Sequence, residues 1–271
     1  MISVDEALEL VLESVSPLGV ERIPITQALN RILAEEVRSP RDIPGFDNSA
    51  MDGYAVRSSD IAQASEAHAI TLAVTETIAA GAMPSRTVSQ GHAARIMTGA
   101  PIPEGADAIV PVERTRPAET TVEILAAAES GAFVRPRGED LRQGEIVMSP
   151  GRRLTPADLG MLASLNRSMV EVWRRPRVAI VATGDELVDV DQAPKGAQVV
   201  NSSAYGLFGG IIEAGGEPFI LKIARDSPDE IRERLREAST FDLALSTGGV
   251  SVGQFDHVKA MLDELGLKQL F

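Results

Sequence analysis

The chain has 271 residues, 44% of them apolar, with a net charge of −13, three histidines and no cysteine. That is length for roughly two domains with enough apolar mass for a core, which excludes a disordered chain. The negative balance excludes a general binder of nucleic acid or of anionic membranes. Without cysteine there is no disulfide, thiol nucleophile or thiolate metal site. His68, His92 and His257 are scattered, so the metal that fits is a hard cation on oxygen ligands, magnesium above all.

Ser3 and Glu6 have capping-box spacing, and Val4, Leu8, Val11, Leu12 and Val15 recur on one helical face until Pro17, which predicts an amphipathic first helix. Asp5, Glu6 and Glu9 within that periodicity argue against a signal peptide, and no apolar run reaches membrane-spanning length. The expected compartment is the reducing cytoplasm. A second short helix is predicted over residues 26–36. An irregular stretch, 39–48, follows with Pro40, Pro44 and Gly45, and a domain boundary is placed there. From about Ala50 to Val134 the signals turn to short β-branched stretches, 70–75 and 121–125 among them, separated by glycine and proline, which predicts a small β domain.

Thr155, Pro156 and Asp158 then supply an N-cap, a proline at the first helical position and a first-turn acid ahead of Leu159, Leu162 and Leu165. After Arg177 strand and helix alternate: strand at 178–182, helix about 204–213, strand 219–223, helix from Pro228, strand 243–246, and a helix from about Phe255. This is the pattern of a parallel α/β sheet, in which ligands sit beyond the carboxyl ends of the strands.

Three of those strands run into polar loops: TGDEL (183–187), ARDSP (224–228) and STGGVSVGQFD (246–256). Gly248, Gly249 and Gly253 at a strand-to-helix turn could converge backbone N–H groups on a phosphate, and serve equally well as a tight turn without a ligand. Asp226 is a plausible loop cap, yet Ser227, Pro228 and Glu230 already complete a helix start without it. Asp185 and Glu186 read as solvated loop acids and Asp256 as a first-turn acid when each is taken singly. The stretch PGFDNSAMDGYAVR (44–57) sets Asp47, Asn48, Ser49 and Asp52 among small residues with little periodicity. RPRGEDLR (135–142) gathers Arg135, Arg137 and Arg142 around Asp140, and arginine forks suit oxyanions. A solvated loop accounts for it as well.

Five stretches in order, PGFDNSAMDGYA (44–55), MTGAPIPEGADA (97–108), RGED (137–140), TGDEL (183–187) and TGGVSVGQFD (247–256), resemble the successive signatures of the molybdopterin molybdenumtransferase family, which includes the bacterial enzyme and the gephyrin E domain. The resemblance implies a multidomain α/β plus β protein. Its parts would be a helical or mixed linker domain used in dimerisation (1–43 and 141–175), an inserted β domain (44–140) and an α/β molybdopterin-binding domain (176–271). It implies an elongated homodimer with clefts formed between the β domain of one subunit and the α/β domain of the other. It also implies contact with other molybdenum cofactor biosynthesis proteins.

The activity implied is magnesium-dependent insertion of molybdate into adenylylated molybdopterin, with release of AMP. By motif, Asp52, Asp140 and Glu186 would be catalytic. Asn48, Ser49, Thr98, Arg135, Arg137, Thr183, Gly184, Ser246, Thr247, Gly248, Gly249 and Ser251 would contact substrate, and Asp226, Asp256 and Glu186 would hold Mg2+. Two bare carboxylates about 4 Å apart repel by roughly 4 kcal/mol at an effective dielectric of about 20, so gathered acids need a cation. Asp52 and Asp140 would orient molybdate through a protonated carboxyl or a bridging water, since two anions repel.

The family's α/β domain runs on into a Lys-Pro-Gly-Lys segment and a Gly-Leu-Pro-Gly-Asn-Pro segment, and then a C-terminal β domain. This sequence stops at Phe271, so an incomplete parallel sheet is expected, and an open sheet edge predicts poor solubility of the isolated chain. His257 stands where relatives often have tyrosine. Two other classes share these features. One is a non-catalytic scaffolding module of the same family. The other is a pterin- or nucleotide-processing enzyme on the same α/β domain, against which the 48–53 segment argues because it lies in a separate domain.

Overall fold

The computed structural model describes residues 2–248 and Met261. Gly249, Ser251, Asp256 and His257, and the helix expected from about Phe255, lie outside the described residues. The chain divides into two compact units, one of Met1–Glu35 with Pro150–Phe271 and the other of Glu36–Ser149. The second unit extends beyond the 44–140 limits read from sequence, taking in 36–43 and 141–149 of the linker stretches, while the rest of those stretches groups with the α/β region.

Helix α1 (Val4–Ser14) begins at the anticipated capping box: Ser3 Oγ accepts from the Glu6 N–H, and Glu6 Oε2 accepts from the Ser3 N–H at 2.7 Å. Its apolar stripe is exposed at Val4, Leu8, Val11 and Leu12. Strand β1 (Val20–Pro24) follows. The helix predicted over 26–36 is not formed. A single 3-10 turn, Ile25–Gln27, gives way to extended chain in which Ile32 and Leu33 form β-bridges with Arg153 and Val172. Helical preference there is overridden by pairing with distant chain that buries Leu33 completely.

The second unit starts with β2 (Val37–Arg38) and β3 (Asn48–Ser49). A mixed six-stranded sheet follows, built from β4 (Gly53–Val56), β5 (Ile70–Ile78), β6 (His92–Ile96), β7 (Ala108–Pro111), β8 (Thr115–Pro117) and β9 (Thr121–Ile124), in the order β7-β4-β6-β5-β9-β8. The two-residue side-chain period sorts its core. Tyr54, Val56, Leu72, Ala93 and Val110 enter one apolar cluster; Ala55, Ala94, Ile96 and Ile109 enter another. Both faces are therefore covered, and β4 and β7 are buried along their whole length. Gly53 is required where β4 meets β7, since a Cβ there would lie 2.1 Å from Val110 O. Two ribbons complete the unit: β10 (Val134–Arg135) pairs with β3, and β11 (Ile146–Met148) pairs with β2.

Back in the first unit, α2 (Pro156–Ser164) is capped by Thr155 and Asp158 reciprocally, as the sequence indicated. Strand β12 (Met169–Trp173) pairs antiparallel with β1, Val20 opposite Trp173. Next comes β13 (Arg177–Ala182), buried at five consecutive positions, as a central parallel strand requires. A short parallel pair, β14 (Leu187–Val188) and β15 (Val199–Val200), leads to α3 (Ser202–Ala214). Then β16 (Glu217–Ile220), α4 (Pro228–Ala238) and β17 (Leu243–Thr247) give a parallel sheet ordered β16-β13-β17. Val178 and Ile180 pack against Ala204 and Ile211 of α3, while Ala179 and Val181 pack with Ala238 of α4, so helices cover both faces.

A fork joins the linker to this sheet. Both guanidinium Nη atoms of Arg174 bind Asp242 at 2.9 and 2.8 Å, and the Arg177 N–H donates to the same carboxylate at 2.8 Å. The Arg174 bonds, then the Arg177 N–H, hold the Asp242 carboxyl down at about 2 against an ordinary 3.8. A lowered folded-state value stabilises the fold above the ordinary value, and the contribution disappears as pH drops through the folded one. The gap in urea midpoint between the parent and Asp242→Asn is therefore expected to be full at pH 5 and to close as pH falls from about 4 to 2. A gap independent of pH would show that the fork does not act through this ionisation.

Candidate active site

Three motif segments come together within the second unit. Asp52, just ahead of β4, accepts from the Thr98 N–H at 2.6 Å and from the Thr98 hydroxyl at 2.8 Å. Those two bonds, with the charge of Arg95 behind them, hold the Asp52 carboxyl below the usual carboxylate range. Gly99 N–H donates to Ser49 O at 2.8 Å, and Ser49 N–H to Ala100 O at 3.0 Å, so the 97–101 turn is laced to the 48–52 segment. Asn48 and Ser49 are buried; the Ser49 hydroxyl donates to Met51 O and the Asn48 amide to Phe46 O, so both brace their own loop. Pairing of β10 with β3 then sets Arg135 opposite Asn48.

The basic cluster read from sequence is largely neutralised in place. Arg135 donates to Glu139 at 3.1 Å and to Asp140 at 3.2 Å, and Arg137 Nε donates to Asp42 at 2.6 Å. Asp42 also accepts from the Gln143 N–H at 2.8 Å; that bond first, then Arg137, lowers its pKa. Sequence reasoning missed Asp42, whose partner Arg137 lies 95 residues away. It also missed Arg95, which lines a cavity of about 110 Å³ with Asp52, Gly53, Met97 and Val112. Among the described residues Arg95 forms no salt bridge.

In the first unit the loops after β13, β16 and β17 meet. Thr183 N–H donates to Thr247 O at 3.2 Å, and Gly184 N–H to Ala224 O at 3.0 Å. Asp185 and Asp226 exchange bonds: Asp185 N–H donates to Asp226 Oδ2 at 3.3 Å, and Asp226 N–H to Asp185 Oδ1 at 3.1 Å. Arg225 clamps the same junction, its Nη1 donating to Asp185 O at 2.9 Å and Leu187 O at 3.0 Å. Gly248 lets two strand ends approach, since a Cβ there would lie 2.9 Å from Thr183 O, and Gly184 turns its loop at a φ of +148° that favours glycine. Ser246 and Thr247 end β17 beside them.

Thr183 Oγ1 is buried without a hydrogen-bond partner among the described residues. Leaving such a group unsatisfied costs about 1–3 kcal/mol, which a water or a substrate oxygen would recover. Among the described residues no three His, Asp or Glu side chains group closely enough to hold a metal, and Asp256 lies outside them. The two acids brought together here, Asp185 and Asp226, offer carboxylate oxygens, the donor type that a hard divalent cation takes.

Known proteins resemble the chain over both of its parts. Residues 2–166 match a family described as the MoeA N-terminal region (domain I and II), and residues 179–271 match one described as a probable molybdopterin binding domain. The chain is 40% identical over 254 residues to the molybdopterin molybdenumtransferase of Nostoc sp., covering 93% of this chain and 58% of that protein. It is 36% identical over 275 residues to the Bacillus subtilis enzyme of the same name, covering 100% of this chain and 64% of that protein. A crystal structure of the molybdopterin biosynthesis moeA protein from Pyrococcus horikosii superposes with a TM-score of 0.84 at 32% identity, covering 98% of this chain and 67% of that one. The chain thus spans about three fifths of the length of these curated relatives.

Proposed function

The chain belongs to the molybdopterin molybdenumtransferase family, and on that premise we propose that it works in molybdenum cofactor biosynthesis, taking adenylylated molybdopterin and molybdate and releasing AMP as molybdenum is bound. What supports this reading is the junction of three strand ends, where Asp185 and Asp226 exchange bonds and the buried Thr183 hydroxyl has no partner among the described residues.

In this reading the Thr183 hydroxyl and the N–H groups around Gly248 receive the pterin phosphates, at the sheet end where parallel α/β folds bind ligands. Gly248 keeps the backbone open to them. Asp226, with Glu186 and Asp256, would hold Mg2+, whose role is to reduce the charge on the departing AMP. Arg225 fixes the distance between the loops that carry Asp185 and Asp226. At the other end of the chemistry, Asp52 and Thr98 orient molybdate. Since Asp52 is held as a carboxylate, a protonated Asp52 is disfavoured, and the proton between it and the oxyanion belongs to a bridging water or to the oxyanion itself. Asp140 tunes Arg135 beside it. The same proposal includes a homodimer, which the uncovered apolar stripe of α1 supports, contact with other cofactor-biosynthesis proteins, and a cytoplasmic location. No described helix is long and apolar enough to cross a membrane.

The test is AMP release and bound molybdenum measured together, with adenylylated molybdopterin, molybdate and titrated magnesium. Asp226→Asn and Asp256→Asn are expected to shift the magnesium response to at least about tenfold higher concentration, the lower end of what loss of a charged ligand costs. An unchanged magnesium response in both variants removes the metal assignment, and no AMP release by the parent removes the function.

A further inference from the structure

Two charged groups face the small cavity beside β4 without closing on each other. Asp52 and Arg95 both line it, with Gly53, Met97 and Val112 making the remaining wall. The Arg95 charge acts on Asp52, yet the two form no salt bridge. Nearby arginines are already committed: Arg135 to Glu139 and Asp140, Arg137 to Asp42. Asp52 is likewise engaged on one side only, since both Thr98 bonds fall on Oδ1, leaving Oδ2 as an acceptor without a hydrogen bond among the described residues. The space is about 110 Å³, several times the roughly 10–15 Å³ that one water needs.

A guanidinium without a salt bridge among the described residues and a half-used carboxylate, separated by a gap of that size, suit a ligand that both accepts and donates. A tetrahedral oxyanion bearing one proton does so: its bare oxygens take N–H bonds from an arginine fork, and its O–H gives to a carboxylate. The repulsion expected between Asp52 and an anion is thereby turned into a hydrogen bond, with Arg95 supplying the opposing charge. We propose that this cavity is a binding site for one protonated tetrahedral oxyanion, gripped by Arg95 and read by Asp52 Oδ2. The inference rests on the assignment of Asp52 to the oxyanion end of the reaction. It adds Arg95 as the residue that makes an anion tolerable there. The oxyanion could be molybdate, taking up one proton from solvent as it binds, or the phosphate monoester of the released nucleotide, and the two differ in how they compete.

Equilibrium dialysis of the chain at fixed ionic strength, against molybdate and separately against inorganic phosphate, decides the matter without any turnover. The parent is expected to bind, and Arg95→Gln to bind at least about tenfold more weakly, as loss of a charged hydrogen bond implies. Arg95→Lys, which keeps the charge and loses the fork, should fall between them and carries the comparison if Arg95→Gln does not fold. Following the Asp52 carboxyl by NMR should show its pKa rising in Arg95→Gln, a change that a purely structural arginine would not bring. Molybdate binding that phosphate does not displace identifies the free oxyanion as occupant. Displacement by phosphate shows a site open to the phosphate monoester of the nucleotide as well, and either result supports the site. Binding by Arg95→Gln equal to the parent's, or no binding of either anion by the parent, overturns it. A parent that releases AMP normally while Arg95→Gln keeps its molybdate dependence sinks this inference alone and leaves the proposed function standing.

Discussion

Gly53→Ala is expected to destabilise the Glu36–Ser149 unit by at least about 3 kcal/mol, the upper range for forcing one extra carbon into a close-packed interior. The added Cβ would sit 2.1 Å from Val110 O and 2.9 Å from Val110 C, so the obstacle is backbone, which no rotamer change can clear. Relief requires β4 and β7 to separate, and they pair from Gly53 opposite Pro111 through Val56 opposite Ala108. Both strands are fully buried, so separation would expose the cores on either side. Urea denaturation followed by far-ultraviolet circular dichroism should show the midpoint shifted at unchanged slope. A midpoint equal to the parent's would mean the two strands lie farther apart than described.

The largest effect on activity is expected at Asp52. Asp52→Asn keeps an oxygen to accept from the Thr98 N–H and hydroxyl, and so should fold, but it loses the charge and one acceptor oxygen. If this carboxylate receives a proton from the oxyanion or from a bridging water, molybdenum insertion should drop by about 10²–10⁴-fold, the usual range for a general acid–base group. AMP release at saturating magnesium should lose less than molybdenum binding, because the metal acids lie in a different unit of the fold. Measuring both products in one reaction separates the two. Equal turnover and equal molybdate saturation in parent and variant would refute the placement of the oxyanion end at Asp52.

Local chemistry was readable from sequence wherever a few neighbouring residues decide the outcome. Thr155 and Asp158 satisfy each other's backbone donors with nothing from elsewhere, so α2 begins where its residues indicate. The start of α4 was read only in part. Ser227 is its N-cap, but the hydroxyl makes no capping bond, and Glu230 reaches past it to the Arg225 N–H at 3.0 Å. Residues 26–36 failed for the opposite reason: Ile32 and Leu33 have partners at Arg153 and Val172, which no window of sequence contains. The site divides along the same line. Acids at the strand ends could be named because parallel sheets place ligands there, and the family motifs singled out Asp52 and Thr98. The bonds between Asp52 and Thr98, the neutralisation of Arg137 by Asp42 and the placing of Arg95 beside Asp52 in one cavity all depend on chain brought together by folding.

The way Glu36–Ser149 is spliced into the rest bears on how the protein is made. Its entry and exit run side by side, Val37 opposite Met148 in the β2–β11 ribbon, and its core strands all lie between them. That segment holds everything it needs once Met148 has left the ribosome, so it can fold while synthesis continues. The first unit cannot, because β1 waits for β12. An already folded insertion draws the waiting ends together and removes most of the closure entropy that a loose loop of that length would impose. Mutations that unfold the insertion, Gly53→Ala first among them, should therefore slow assembly of a unit they do not touch.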